Sequence, residues 1–416
     1  MVFIQRLEQI SLFEIIMSIS DAIDLINPVV NGHHKRVACI SLFLGQNMGL
    51  ADSKLEQLVF ASALHDIGAF SLQERINALN FELGPKAKEH AEIGYLILKD
   101  CEHLEEVADI IRFHHSDWEQ GNLTVETAIL RLADKIDVLL NNKKEVLSQR
   151  ARIVKTIKAD KGNKFMPEAV EAFEELAKKE FFWFELKSVK NLENNLDIVA
   201  QKSDLKLNEA DFYKLTEVFS RIIDFRSNFT ATHSMGVAAV AKNLSLLAGF
   251  DKNEATKMEI AGYLHDLGKL AVPISLINKE ASLKNREYNV IKKHPFYTYK
   301  ILKRINNLEQ IRNWATYHHE KLDGSGYPFQ LFGEQIDLGS RILAIADIFT
   351  ALSENRPYRS GLARDSIIDI LNDMADKNKI DNDLLTIVSF NYSSLQDLRA
   401  IKQREKQKEY EKLLVE

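Results

Sequence analysis

Apolar residues recur at the spacing of an α-helix in the second half of the chain. Val237, Val240, Leu244 and Leu247 follow His233 at intervals of three or four residues. Because about 3.6 residues make one helical turn, this spacing places the four side chains on one face. The pattern predicts a helix that begins at His233 and turns this apolar face toward a core.

The same pattern occurs near the start of the chain, which indicates an internal repeat. The segments ALHDIG and YLHDLG lie 200 residues apart, later landmarks are offset by 204, and the last pair by 213. The second copy therefore has nine additional residues after its histidine pair. The paired landmarks are His33 and His233, His65 and His265, Asp66 and Asp266, His90 and His294, His114 and His318, His115 and His319, and Asp134 and Asp347.

The composition favours a mostly helical protein with more than one domain. The 416 residues include 7 prolines and 17 glycines, few helix breakers for this length. We therefore expect an all-α fold with two tandem helical domains. Their predicted bounds are 1–200 and 201–398, and a charged helical tail follows at 399–416. The apolar seam of this tail is thin, so it predicts at most a solvated helix or a weak coiled-coil homodimer.

Charge and cysteine content exclude several classes of function. The formal net charge of −6 argues against a protein that coats nucleic acid or an anionic membrane. Uninterrupted apolar segments of about 18 residues, which a spanning helix needs, are missing from the sequence. The 2 cysteines cannot form a disulfide framework, which is typical of a reducing compartment and predicts a cytoplasmic location.

The repeated histidines and aspartates indicate metal chemistry. Five histidines and two aspartates on otherwise apolar elements are costly to bury unless they have partners, and a metal ion supplies one. Imidazole with carboxylate suits Fe, Mn, Zn, Ni or Co. Seven ligands are too many for one ion but enough for two, and the two oxygens of Asp266 could bridge them. Such a pair of ions is typical of phosphoester hydrolysis.

The second copy resembles the HD-GYP subfamily of the HD superfamily of metal-dependent phosphohydrolases. The resemblance rests on HDLGK, His294, HHEKLDGSGYP, Asp347 and RPYRS, in that order over about 180 residues. It implies an all-helical fold and hydrolysis of 3′,5′-cyclic dinucleotides to linear dinucleotides. The substrate it implies is chiefly cyclic di-GMP, and for some members 3′,3′-cyclic GMP–AMP.

The resemblance also implies roles for individual residues. One metal would be held by His233, His265, Asp266 and Asp347, and the other by Asp266, His294, His318 and His319. The ions would be Fe or Mn, with Ni, Co and Zn as alternatives. Lys269 would contact the scissile phosphate, Arg356 and Arg359 would contact phosphates or a guanine base, and Gly324 and Gly326 would shape a loop beside the site. Some members have a glutamate where this chain has Phe229, and that glutamate supports a third metal, so we expect two metals.

The first copy resembles the general HD domain. This copy would form a second metal site of the chain from His33, His65, Asp66, His90, His114, His115 and Asp134. Ala69 occupies the lysine position, and the Gly-Tyr-Pro loop is missing from the sequence. His34 competes with His33, although the helix phase of Val37 favours His33. This half is interpreted as a metal-loaded but catalytically weak regulatory domain, as a second active enzyme, or as a relic without metal.

Two other functions stay open from the sequence. The chain could be an HD-type nucleotide phosphohydrolase with another class of substrate, which the Gly-Tyr-Pro loop and RPYR argue against. It could instead be a degenerate nucleotide-binding protein that signals to protein partners. The intact ligand set and Lys269 argue against that for the second half only.

Overall fold

The computed structural model describes residues 10–24, 32–69, 85–203, 205–225, 232–279, 281–355 and 360–413. Most of these residues are helical. The strands within these ranges are Ile10–Ser11 and Lys206–Leu207, which pair antiparallel. The predicted all-α fold is confirmed.

The chain divides into two compact units, one within Gln9–Leu207 and the other within Asn208–Glu416. The division lies seven residues after the predicted boundary, because the helix Val189–Lys202 runs through residue 200. We refer to these as the first unit and the second unit.

The first unit contains the following helices: α1 Leu12–Asp24, α2 His33–Asn47, α3 Asp52–Leu64, α4 Pro85–Leu98, α5 Glu105–Arg112, α6 Val125–Leu139, α7 Arg150–Ala159, α8 Pro167–Ala177, α9 Glu180–Glu185 and α10 Val189–Lys202. Short 3₁₀ turns lie at Trp118–Gln120 and Leu147–Gln149.

The second unit contains α11 Glu209–Phe225, α12 His233–Leu247, α13 Lys252–Leu264, α14 Ile274–Ile277, α15 Asn285–Ile291, α16 His294–Leu302, α17 Glu309–Tyr317, α18 Leu338–Ser353, α19 Arg364–Asp376, α20 Asn382–Phe390 and α21 Tyr392–Leu413. Its 3₁₀ turns are Leu267–Ala271 and Gly333–Gln335.

Several equivalent helices of the two units begin at equivalent residues, as the repeat predicts. Helices α2 and α12 both have 15 residues and both begin at the first histidine of their copy. Helices α6 and α18 each begin after a capping side chain. The Thr127 amide donates to Thr124 Oγ1 over 3.2 Å, and the Ser340 amide donates to Asp337 Oδ1 over 2.7 Å. These caps fix the first turns of the helices that carry Asp134 and Asp347.

Helix α12 turns most of its predicted apolar face inward. Val237, Val240 and Leu244 are fully buried. Leu247 is 46% exposed, so its assignment to the core face was wrong. It is the last residue of the helix.

The charged tail belongs to the packed structure of the second unit. The predicted boundary at residue 399 falls inside α21, and this helix packs along α12. Arg399 is only 7% exposed and Lys406 only 4%. The interpretation of this segment as a solvated helix is therefore wrong at these positions. Among the described residues, no helix is both long and apolar enough to cross a membrane.

Candidate metal centres

The ligands of the second unit come mostly from the ends of helices. His265 and Asp266 follow the last residue of α13, His318 and His319 follow α17, and His233 and His294 are the first residues of α12 and α16. Asp347 lies within α18. Helix ends bring many short side chains toward one point, and all seven predicted ligands meet there. We call this group the second centre.

Asp266 lies between two groups of histidines. Its Oδ2 is 3.3 Å from His265 Nε2, and its Oδ1 is 3.4 Å from His294 Nε2. Its side chain is only 2% exposed. Each carboxylate oxygen therefore faces a different set of imidazoles, as a ligand shared by two ions requires.

The other donor atoms lie at similar distances. His233 Nε2 is 3.2 Å from Asp347 Oδ1, and His294 Nε2 is 3.4 Å from His318 Nε2. His319 completes the group with its ring centroid 4.1 Å from that of His318. Donors that share one ion at bond lengths of about 2.0–2.2 Å are roughly 3–4 Å apart. The spacing fits two neighbouring ions.

Backbone carbonyls fix which nitrogen of each imidazole faces the centre. Nδ1 of His265 donates to the Gly262 carbonyl over 2.7 Å, and Nδ1 of His318 donates to the Ala315 carbonyl over 2.7 Å. A carbonyl can only accept, so Nδ1 carries the proton in each ring. Nε2 of the neutral ring then keeps its lone pair for a metal.

Two atoms of the second centre test whether a metal fits. His265 Nε2 and Asp266 Oδ1 are buried and have no hydrogen-bond partner among the described residues. A buried polar atom without a partner costs about 1–3 kcal/mol. A metal ion satisfies an imidazole lone pair and a carboxylate oxygen together, so these residues fit the metal that the motifs imply.

The electrostatics of the second centre keep His294, His319 and Asp266 in the forms that bind a cation. Burial lowers the pKa of His294 to about 3 and that of His319 to about 4, so both rings are neutral near pH 7. Burial alone raises the pKa of Asp266, but His265 and Lys269 outweigh it and hold the pKa well below its usual range. Neutral imidazole and ionised carboxylate are the forms that bind metals.

Lys269 lies in the 3₁₀ turn that follows Asp266. Its Nζ is 2.6 Å from Asp266 Oδ2, and its side chain is 24% exposed. The ammonium group is therefore at the edge of the second centre, between the buried ligands and solvent. A phosphate that reached the centre from this side would meet it.

The Gly-Tyr-Pro loop folds back onto the histidine pair. The ring of Tyr327 lies 4.8 Å from that of His319, and the Tyr327 amide donates to the His319 carbonyl over 3.2 Å. A Cβ on Gly326 would lie 2.5 Å from Glu320 Cα, and Gly324 has a positive φ of 78°. Both glycines are needed for this path, which borders the centre. Arg356, Arg359 and Phe229 lie outside the described residues.

Sequence reasoning missed the side chains that contact His233 on its outer nitrogen, Nδ1. Its Nδ1 is 3.0 Å from Glu354 Oε1, and the other Glu354 oxygen accepts from Gln403 Nε2 over 3.2 Å. Gln403 also donates to the carbonyl of Thr232, the residue before α12, and accepts from Arg399, which lies on α21. Helix α21 is thus connected to the predicted metal ligand His233 through the side chains of Gln403 and Glu354.

The first unit brings its seven predicted ligands together in the same arrangement, which we call the first centre. Asp66 Oδ2 is 3.6 Å from His65 Nε2, and Asp66 Oδ1 is 3.3 Å from His90 Nε2. His33 Nε2 lies 3.5 Å from Asp134 Oδ1. The shared carboxylate of the second centre is therefore repeated here.

The surroundings of the first centre differ from those of the second. Nδ1 of His33 is 2.7 Å from Asp137 Oδ2, and Asp137 also accepts from Arg36. His34, which the helix phase disfavoured, also faces the cluster, with its Nε2 3.9 Å from Asp66 Oδ2. His33 and His34 are the first two residues of α2, where both rings can reach the centre from adjacent sides.

Two HD-domain family models match the chain, one over residues 217–384 and the other over residues 30–139. Each match contains ligands of one centre. The chain therefore belongs to the HD-domain family, with one HD domain in each unit.

Two curated relatives and a solved structure match nearly the whole chain, and another relative matches about a third of it. The 3′3′-cGAMP-specific phosphodiesterase 1 of Vibrio cholerae is 29% identical over 395 residues, which are 91% of each chain. Phosphodiesterase 3 of the same organism is 26% identical over 86% of this chain and 90% of its own. The cyclic di-GMP phosphodiesterase response regulator RpfG of Xanthomonas campestris is 37% identical over 36% of this chain and 40% of its own. The crystal structure of V-cGAP3, described as a cyclic GMP–AMP-specific phosphodiesterase of V. cholerae, covers 92% of this chain and 98% of its own, with 22% identity and a TM-score of 0.66. It shows the same fold.

Proposed function

We propose that the second unit is a metal-dependent phosphodiesterase that hydrolyses cyclic dinucleotides, with 3′3′-cyclic GMP–AMP as the preferred substrate. The observation that carries the proposal is the seven-ligand second centre with Asp266 shared between two groups of histidines. The preference rests on the two relatives that match both units, since both are named for 3′3′-cGAMP.

The proposed cofactor is a pair of divalent transition ions, Fe or Mn first and Ni, Co or Zn as alternatives. His233, His265, Asp266 and Asp347 would hold one ion, and Asp266, His294, His318 and His319 the other. Two such ions lower the pKa of a bound water and polarise phosphate oxygens.

The side chains of the chain supply the rest of the reaction. The buried neutral imidazoles of His294, His318 and His319 and the ionised Asp266 present their donor atoms in fixed positions, so little reorganisation is needed. Lys269 binds a phosphate oxygen and stabilises its growing charge. Water adds to phosphorus and one P–O ester bond breaks, so the ring opens to a linear dinucleotide with a terminal phosphate monoester.

Specificity is assigned to the loop and to the segment after α18. Gly324, Gly326 and Tyr327 shape the wall beside His319. Arg356 and Arg359 would hold phosphates or a guanine base, since guanidinium matches both geometries.

We propose a supporting role for the first unit. Its seven ligands would bind metal, but Ala69 supplies no cation for a phosphate. It would therefore catalyse little and would stabilise or regulate the enzyme. A cytoplasmic location, signalling-protein partners and a weak homodimer stay predictions from the sequence.

A turnover assay tests the main proposal. The full chain is purified without oxygen, loaded with Fe or Mn, and given cyclic di-GMP and 3′3′-cyclic GMP–AMP separately. We expect linear product from both and faster turnover of cyclic GMP–AMP. If the metal-loaded chain leaves both substrates intact, the second unit is not this enzyme.

A further inference from the structure

We infer that the first centre holds its metal as a closed structural site in which His34 is an additional ligand. The inference rests on the proposal that the first unit binds metal, and it concerns what that metal can do.

Three imidazole nitrogens surround one oxygen of Asp66. His65 Nε2, His34 Nε2 and His33 Nε2 lie 3.6, 3.9 and 4.0 Å from Asp66 Oδ2. Ligands of one ion are roughly 3–4 Å apart at metal–nitrogen distances of about 2.0–2.1 Å. His34 thus lies as near to the shared carboxylate as the two predicted ligands do.

The other nitrogen of His34 is held as in a metal ligand. Its Nδ1 is 2.6 Å from Asp24 Oδ1, and the two side chains are 0% and 5% exposed. A carboxylate on the outer nitrogen of a ligating imidazole orients the ring and makes the inner nitrogen a better donor. Asp24 gives His34 the support that Asp137 gives His33 at 2.7 Å.

The second unit differs at this place in two ways. The residue equivalent to His34 is Ser234, which is buried but offers no imidazole. In the first unit His34 lies beside Asp66 Oδ2. In the second unit the equivalent oxygen, Asp266 Oδ2, is 2.6 Å from Lys269 Nζ. The first unit has Ala69 in place of the lysine. A neutral ligand has therefore replaced a cation that could bind phosphate.

The replacement changes how many positions stay open on a metal. One ion of the first centre has five protein donors within reach, namely His33, His34, His65, Asp66 and Asp134, and the matching ion of the second centre has four. Catalytic sites keep a position for water or substrate, whereas structural sites are filled by protein. The first centre is filled further and has Ala69 in place of the lysine, so its metal stabilises the fold.

The experiment isolates the first centre within the full chain. His265→Ala with Asp266→Ala removes metal from the second centre, and Co²⁺ is then added as the probe. Chelator competition gives its affinity, and the visible spectrum is recorded with and without inorganic phosphate. We expect tight Co²⁺ binding, a spectrum that phosphate does not change, and a raised unfolding temperature on binding.

Removing the additional ligand should open the first centre. In the same background, His34→Ser should lower Co²⁺ affinity by about 10–100-fold and make the spectrum respond to phosphate. Asp24→Asn should weaken binding in the same direction by a smaller factor. Unchanged affinity in His34→Ser, or a phosphate response with His34 present, overturns the inference. A chain that binds no Co²⁺ in this background overturns the proposed metal binding as well.

A converse variant keeps the inference testable if His34→Ser does not fold. His65→Ala with Asp66→Ala isolates the second centre, and Ser234→His then places an imidazole where the first unit has one. We expect the phosphate response of the second centre to weaken at least severalfold. A full response with Ser234→His contradicts the role assigned to this position.

Discussion

A Cβ on Gly268 would lie 1.9 Å from the carbonyl oxygen of His294. The Gly268 amide also donates to Thr298 Oγ1, which donates in turn to the His265 carbonyl. The turn that carries Asp266 is therefore pressed against the start of α16. Only glycine lets the two ligand-bearing segments approach this closely.

Gly268→Ala should displace His294 from the second centre. Because the collision is with backbone, the two segments must move apart, and we expect a loss of about 1–3 kcal/mol in unfolding free energy. Metal analysis should show that the second centre is incompletely filled.

The first unit offers the matched control. A Cβ on Gly68 would lie 2.1 Å from the His90 carbonyl, so Gly68→Ala should impair the first centre and spare the second. Full metal content in Gly268→Ala would show that the contact does not position His294.

Paired ligand variants test which unit carries the reaction. His265→Ala with Asp266→Ala removes the shared carboxylate and should abolish phosphodiesterase activity. His65→Ala with Asp66→Ala should leave most of it, since Ala69 provides no phosphate-binding cation there. Initial rates and metal content are measured for both. The reverse outcome would place the active site in the first unit.

Lys269→Ala should separate catalysis from metal binding. Lys269 contacts Asp266 but is not a ligand, so metal content should change little. Loss of one preorganised group that stabilises transition-state charge lowers turnover by about 10²–10³-fold. If kcat and metal content fall in parallel, Lys269 serves the metal site and not the phosphate.

Because α21 contacts the second centre, a substitution on this helix, outside the HD motif, should change the metal affinity of that centre. Gln403→Leu removes the amide that holds Glu354, the residue beside His233 Nδ1. Loss of such support lowers metal affinity by about 10–100-fold. We expect this at the second centre only, measured by chelator competition. Gln407→Leu, farther along α21, is the control.

The metal-free protein should lose stability in mild acid. Folded His65 and His294 have a pKa of about 3 and His319 of about 4, against about 6.5 when unfolded. Between pH 6.5 and pH 4 the unfolded chain binds more protons, so the unfolding free energy falls as pH falls.

Groups with a raised pKa do not cancel this trend. His233, with its pKa raised to about 10, affects stability only above pH 6.5, where its contribution is lost as pH rises. Asp134, with its pKa raised to about 7, and Glu320, with its pKa raised by burial, oppose the trend. Chemical denaturation of the protein in the presence of EDTA gives the unfolding free energy at pH 7 and at pH 4.5. We expect a lower value at pH 4.5, and equal values would contradict the prediction.

The clustering of these histidines and aspartates could be predicted from the sequence because they recur in the same order in the two copies of a repeat. Polar residues that keep the same place on equivalent helices recur at the same interval in each copy. The starts of α2 and α12 were predictable for the same reason, since their first histidines begin matching apolar patterns.

The supporting side chains could not be found in this way. Asp137 lies three residues after Asp134 on α6, whereas Glu354 lies seven residues after Asp347, just beyond α18. The repeat therefore gives no matching pair, and Gln403 comes from a helix with no counterpart among the landmarks. Tertiary packing alone brings these groups to the imidazoles. The exposure of Leu247 and the burial of Arg399 depend on packing in the same way.

The glycine contact also bears on the history of the chain. Gly68 and Gly268 press on His90 and His294 with nearly the same clearance in units that now differ in their cation, their loop and their supporting carboxylates. A backbone contact that only glycine permits rarely arises twice independently. It is most simply inherited from one ancestral unit that was duplicated, so the shared framework of the ligands is older than the specialisation of either copy.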